Sequence, residues 1–78
     1  MRFTEKDGKL NKIYEFKNFL EAIAFVNKLA ILAEDLNHHP DIKIFNYKYV
    51  EISISTHSEN KITSRDYELA ELIENIIL

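Results

Sequence analysis

All three histidines of the chain fall in two short segments, His38-His39-Pro40 and Ser55-Thr56-His57. Imidazole is the side chain whose unperturbed pKa lies nearest neutrality, so three of them together suit general acid–base chemistry. Carboxylates flank them at set intervals. From Glu34 through Tyr47 to Asp66 the pattern reads Glu-x3-His-His-Pro-x6-Tyr-x9-His-x8-Asp. Both histidine segments sit at ends of predicted elements, where side chains from separate parts of a fold converge on a cleft. Taken singly, each residue has a plainer explanation. His38-His39-Pro40 can serve as a helix stop, with imidazole favoured near the negative helix end. His57 can be a solvated strand-end residue, Asp66 a helix cap, Glu34 part of a polar stripe and Tyr47 strand packing. A metal site is a third reading, because three imidazoles and a carboxylate can bind zinc. The residues alone do not separate a metal cluster from a metal-free proton-transfer cluster.

The elements that carry these residues are legible from spacing. Asp7-Gly8 is a strong turn dipeptide and predicts a hairpin between strands at 2–5 and 9–16. Leu10, Tyr14 and Phe16 share one face of the second strand, with Lys12 breaking the alternation. Asn18 is placed to cap a helix, and Glu21 completes a capping-box-like pair. From Phe19 to Leu36 apolar residues recur at Phe19, Ala22, Ile23, Val26, Leu29, Ala30, Ala33 and Leu36, which is helical periodicity. Leu20, Ala24, Phe25, Ile31 and Leu32 are apolar too, so only a narrow polar stripe remains. A helix apolar on most sides is covered on most sides, which points to a second subunit on the face the sheet leaves open. Pro40 ends this helix. Strands follow at 41–47 and 49–56, where period two sends Thr56 to the apolar face and His57 to the polar one. Thr63 starts a last helix with an apolar stripe of Leu69, Leu72, Ile73 and Ile76. The order β-β-α-β-β-α predicts an α+β fold of two layers, a four-stranded antiparallel sheet with two helices on one face.

Bulk properties narrow the function classes. A chain of 78 residues is expected to be a single domain over 1–78. At this size only about 60–65% of the unfolded surface is buried, and with no cysteine there is no disulfide to add stability. Oligomerisation is the remaining common source of burial. The net charge of −3 and dispersed basic residues argue against direct nucleic-acid binding. The start, Met-Arg-Phe-Thr-Glu, lacks the apolar run of a signal peptide, and no uncharged stretch reaches the roughly 18 residues that span a bilayer. The expectation is a soluble, cytoplasmic protein with no membrane contact.

The joint pattern resembles the signature of the pterin-4a-carbinolamine dehydratases. The likeness extends to Phe16-Lys17-Asn18-Phe19 with Ala22 and Phe25, to Ser55-Thr56-His57, and to Ile62-Thr63-Ser64-Arg65-Asp66 with Leu69-Ala70. It runs from about Leu10 onward. Set against longer members, the chain is expected to lack their extra N-terminal helix. It also carries Ser58-Glu59-Asn60-Lys61 where many members have glycines. The resemblance implies dehydration of a 4a-hydroxytetrahydropterin to the quinonoid dihydropterin, in recycling of a tetrahydrobiopterin-type cofactor, with no cofactor or metal of the enzyme's own. It implies His38 and His57 as the acid–base pair, His39 as a pterin-holding residue, and Glu34 and Asp66 as orienting or charge-tuning groups. Pro40, Thr56, Ser58 and Glu59 would line the substrate edge with the histidines. A homodimer or homotetramer is implied, with the long helix packed against its copy. The same family implies an alternative, a non-catalytic module acting as dimerisation cofactor of a transcription factor.

Overall fold

Asp7 and Gly8 both take positive φ, 54° and 77°, the geometry that matches strand twist across a two-residue hairpin. They join β1 (Thr4–Lys6) to β2 (Lys9–Glu15). The structure, a computed structural model, describes residues 3–77, so the expected start of the first strand at Arg2 lies outside the described residues. After β2 come α1 (Phe19–Leu36), β3 (Asp41–Phe45), β4 (Tyr49–Ile54) and α2 (Ser64–Glu74). The four strands pair antiparallel in the order β1-β2-β4-β3. Both helices cover one face, and the two-layer α+β architecture expected from the sequence is the one observed.

The register explains the core. Leu10, Lys12 and Tyr14 of β2 lie opposite Ile54, Ile52 and Val50 of β4. Val50, Ile52 and Ile54 have no exposed surface and pack with Leu29 of α1 and with Leu69 and Ile73 of α2. Lys12 keeps its place on this apolar face because its charge is met there. Its Nζ lies 2.5 Å from Glu74 of α2 and 4.3 Å from the centroid of the Tyr14 ring. The broken alternation in the sequence is thus an ion pair at the edge of the core with a cation–π contact.

All four strand ends differ from expectation, and the first strand runs one residue longer, to Lys6. The second strand ends at Glu15, one residue early. β3 ends at Phe45 because Asn46 and Tyr47 both adopt left-handed φ, 46° and 55°, and turn the chain back. β4 ends at Ile54, and beyond it Thr56 makes only an isolated bridge to Lys61. Asn18 caps α1 as expected, accepting from the Glu21 N–H at 2.9 Å, but Glu21 returns to the N–H of Lys17 rather than to the cap residue.

The buried face of α1 is also rotated from the one read off the sequence. It is formed by Ala22, Phe25, Leu29 and Ala33, whereas Phe19 and Ala30 are exposed. Aromatic packing decides the rotation. The Phe25 ring lies 4.7 Å from Tyr14 and 4.9 Å from Phe16, centroid to centroid, so this ring fills the core while Phe19, at the start of the helix, stays exposed. Among the described residues no helix is long and apolar enough to cross a membrane.

Candidate active site

The end of α1 places His38. Asn37 adopts the left-handed conformation at φ 52°, ψ 44°, a conformation Asn tolerates better than most residues. The Asn37 N–H then donates to Glu34 O at 3.1 Å, and the His38 N–H reaches back to Ala33 O at 3.1 Å. This is a Schellman closure, in which the second residue past the helix folds against the last turn. Here that residue is His38, which is therefore buried, with 7% of its surface exposed.

The start of α2 receives the ring. Thr63 caps α2, and its N–H donates to Asp66 Oδ2 at 2.7 Å, as a capping box requires. The other carboxylate oxygen, Oδ1, lies 2.5 Å from His38 Nε2. Asp66 has no exposed surface. Thr56, just beyond β4, donates to Asp66 Oδ2 at 2.9 Å and lies 2.6 Å from Thr63 Oγ1. One hydroxyl has one proton, so the chain of donation runs from Thr63 to Thr56 to Asp66. Burial alone would push the Asp66 carboxyl up, but the bonds from His38, the Thr63 N–H and Thr56 hold it below its ordinary value. An ionised Asp66 only accepts, so His38 Nε2 carries a proton, and the neutral tautomer this selects has its lone pair on Nδ1.

His39 and His57 complete the rim. His39 Nε2 lies 2.5 Å from Glu34 Oε2 on the exposed side of the α1 terminus. His57 is exposed in the loop after β4. A cleft of about 320 Å³ brings His38, His39 and His57 together with Asn37, Pro40, Asp41, Thr56, Ser58 and Arg65. Of the residues singled out in the sequence, His38, His39, Pro40, Thr56, His57 and Ser58 face one cleft. Asp66 stands behind His38 and Glu34 behind His39. Glu59 is not among the lining residues and lies 3.8 Å from Lys61. Tyr47 sits in the β3–β4 turn, away from the lining set. Among the described residues no three His, Asp or Glu side chains are placed to hold one metal ion.

Sequence reasoning missed Arg65. Its guanidinium donates to Asn37 O at 2.9 Å and to Leu36 O at 3.3 Å. A signal was available. A cation in the first turn of a helix opposes the macrodipole, so it calls for a tertiary explanation.

The geometry of Asp66 yields two expected results. Asp66→Ala strips the buried His38 and Thr56 donors of their acceptor as well as uncapping α2, which should cost about 1–3 kcal/mol. Asp66→Asn keeps one acceptor oxygen for the cap and should be milder than Asp66→Ala by about 0.5–1 kcal/mol. Equal melting temperatures for the two variants would exclude the capping role. The second result concerns acid. Because the folded carboxyl lies below its ordinary value of 3.8, its contribution is fully present above that pH and is lost as pH falls through the folded value. Wild-type protein should therefore lose stability on acidification below that point more steeply than Asp66→Asn, as followed by melting temperature against pH.

The family model described as Pterin 4 alpha carbinolamine dehydratase matches residues 2–76. A Sulfolobus acidocaldarius protein named, provisionally, a pterin-4-alpha-carbinolamine dehydratase is 42% identical over 71 residues, covering 91% of this chain and 77% of that protein. A Herpetosiphon aurantiacus protein with the same provisional name is 46% identical, covering 95% of this chain and 76% of its own. Among solved structures, a transcriptional coactivator/pterin dehydratase from Brucella melitensis superposes with a TM-score of 0.84 at 32% identity, over 92% of this chain and 78% of that one. A pterin dehydratase-like protein identified as a RuBisCO assembly factor in the alpha-carboxysome superposes at 0.73 with 26% identity, over 94% of this chain and 83% of the other. With the match running through both histidine segments and the helix that carries Asp66, the chain belongs to the pterin-4a-carbinolamine dehydratase family.

Proposed function

We propose that the protein dehydrates a 4a-hydroxytetrahydropterin to the quinonoid dihydropterin by histidine acid–base catalysis, serving the recycling of a tetrahydrobiopterin-type cofactor. The observation that carries this reading is the convergence of three imidazoles on one cleft, one of them backed by an ionised, buried carboxylate. The reaction breaks the C4a–O bond and removes the N5 proton as the C4a–N5 double bond forms. Hydroxide is a poor leaving group, so an acid must protonate the departing oxygen, which leaves as water. His38, with its Nδ1 lone pair, is the base for the N5 proton, and His57 is the acid for the hydroxyl. Each contribution is worth about 10²–10⁴ in rate. His39, steadied by Glu34, holds the pterin, and Pro40, Thr56 and Ser58 line its edge. Turnover of a 4a-hydroxytetrahydropterin by the purified protein, followed as loss of the carbinolamine, tests the reading. No acceleration over the uncatalysed reaction would defeat it.

Proton transfer suffices for this chemistry, so dialysis against a strong chelator is expected to leave the rate unchanged. A loss restored by added zinc would favour a metal-dependent site instead.

A second reading is a non-catalytic binding module that steadies a transcription-factor dimer or another assembly. It draws support from the two solved relatives, one described as a coactivator and the other as an assembly factor. The exposed apolar side of α1, with Leu20 and Ile31, is the surface such a module would use. Absence of turnover together with saturable binding of a partner through that surface would favour it.

A further inference from the structure

We propose that Arg65 is a positioning residue that holds the backbone of His38 in register while its neighbour Asp66 holds the ring. The inference rests on the proton-transfer reading of the cleft. Three observations lead to it. First, α1 closes with Glu34 and Asp35 near its end and no basic residue in its last turn, so the helix itself brings no cation to its negative end. Second, Arg65 supplies that cation from another element, donating to the carbonyls of Leu36 and Asn37, the two residues directly before His38. Third, Arg65 does so from the first turn of α2, where the dipole of its own helix disfavours it. The tertiary contact therefore explains the placement, and local helix energetics do not.

Adjacent residues of one turn thus grip two parts of one histidine. The Asp66 carboxylate fixes the Nε2 side of the ring. The Arg65 guanidinium fixes the peptide units that set where that ring begins. Without Arg65, the left-handed Asn37 and the His38 N–H still close α1 internally, but the two carbonyls face solvent and the segment is free to shift relative to α2. Misplacement of about 1 Å in a catalytic group costs up to ~10²-fold in rate.

Arg65 also lines the cleft, so direct contact with substrate is the competing role, and the experiment separates the two. Arg65→Gln and Arg65→Lys are compared by steady-state kinetics on a 4a-hydroxytetrahydropterin. Independently of turnover, they are compared by amide hydrogen exchange of His38 and by the NMR signals of its ring. The expected result for Arg65→Gln is a fall in kcat of about 10–100-fold with KM little changed, faster exchange of the His38 amide and displaced ring signals. Arg65→Lys should recover most of each, because an ammonium also donates to carbonyls. Arg65→Met, which keeps the aliphatic stem, gives the same removal should the amide perturb folding. A raised KM with kcat and His38 signals unmoved would make Arg65 a substrate contact and overturn the proposal. Unchanged kinetics and exchange would overturn it too. If the wild-type protein does not turn over the carbinolamine, the functional reading fails by itself. The exchange and NMR comparison still decides whether Arg65 holds His38.

Discussion

His38→Ala and His57→Ala are each expected to lower the dehydration rate by about 10²–10⁴. Their structural consequences should differ. His57 is exposed, and its removal should leave the melting temperature unchanged. His38 is the partner of a carboxylate with no exposed surface, so its removal should also cost roughly 1–3 kcal/mol of stability. Rates are therefore to be compared at a temperature where circular dichroism reports both variants folded. If the two imidazoles serve one proton-transfer event, the double variant loses less than the product of the single losses. Wild-type rates in both single variants would remove the assignment.

The second large effect concerns assembly. Leu20 and Ile31 on α1 are 78% and 64% exposed, and Ile77 beyond α2 is 81% exposed. Ile31, Leu32, Leu72 and Ile76 line a groove between the two helices of about 400 Å³. So much apolar surface on a chain this small favours burial against a further copy. In a symmetric contact each substitution strikes the interface twice. Ile31→Lys is thus expected to shift the protein from a homo-oligomer to a smaller species, as measured by light scattering at micromolar concentration. A wild-type monomer under the same conditions would refute the expectation.

Local chemistry made most of the fold legible. The Asp7-Gly8 turn, the Asn18 and Thr63 caps and the alternation in β4 each act within a few residues, so the chain states them directly. What escaped depended on contacts distant in sequence. The rotation of α1 follows from Phe25 meeting Tyr14 and Phe16, and no pattern within the helix distinguishes Phe25 from Phe19 as the buried ring. The end of β3 at Phe45 follows from backbone φ at Asn46 and Tyr47, two residues that also fit a strand. In the cleft, the histidines and Asp66 announced themselves by type and interval. Asn37, Asp41 and Arg65 did not. Arg65 acts through carbonyl groups, which every residue has, so no partner residue type marks its role. Lys12 was visible as an irregularity in β2, but its partner Glu74 lies 62 positions away.

The dependence of His38 on the first turn of α2 orders events during synthesis. Residues 3–57 already contain the hairpin, the long helix, all of the sheet and all three histidines. They contain neither Asp66 nor Arg65, which follow His38 by 28 and 27 positions. A ribosome that has not yet released α2 therefore displays imidazoles with no carboxylate to set the tautomer of His38 and no guanidinium against its backbone. The centre becomes complete only when α2 docks, and a chain without α2 carries the histidines without the geometry that lets them act together.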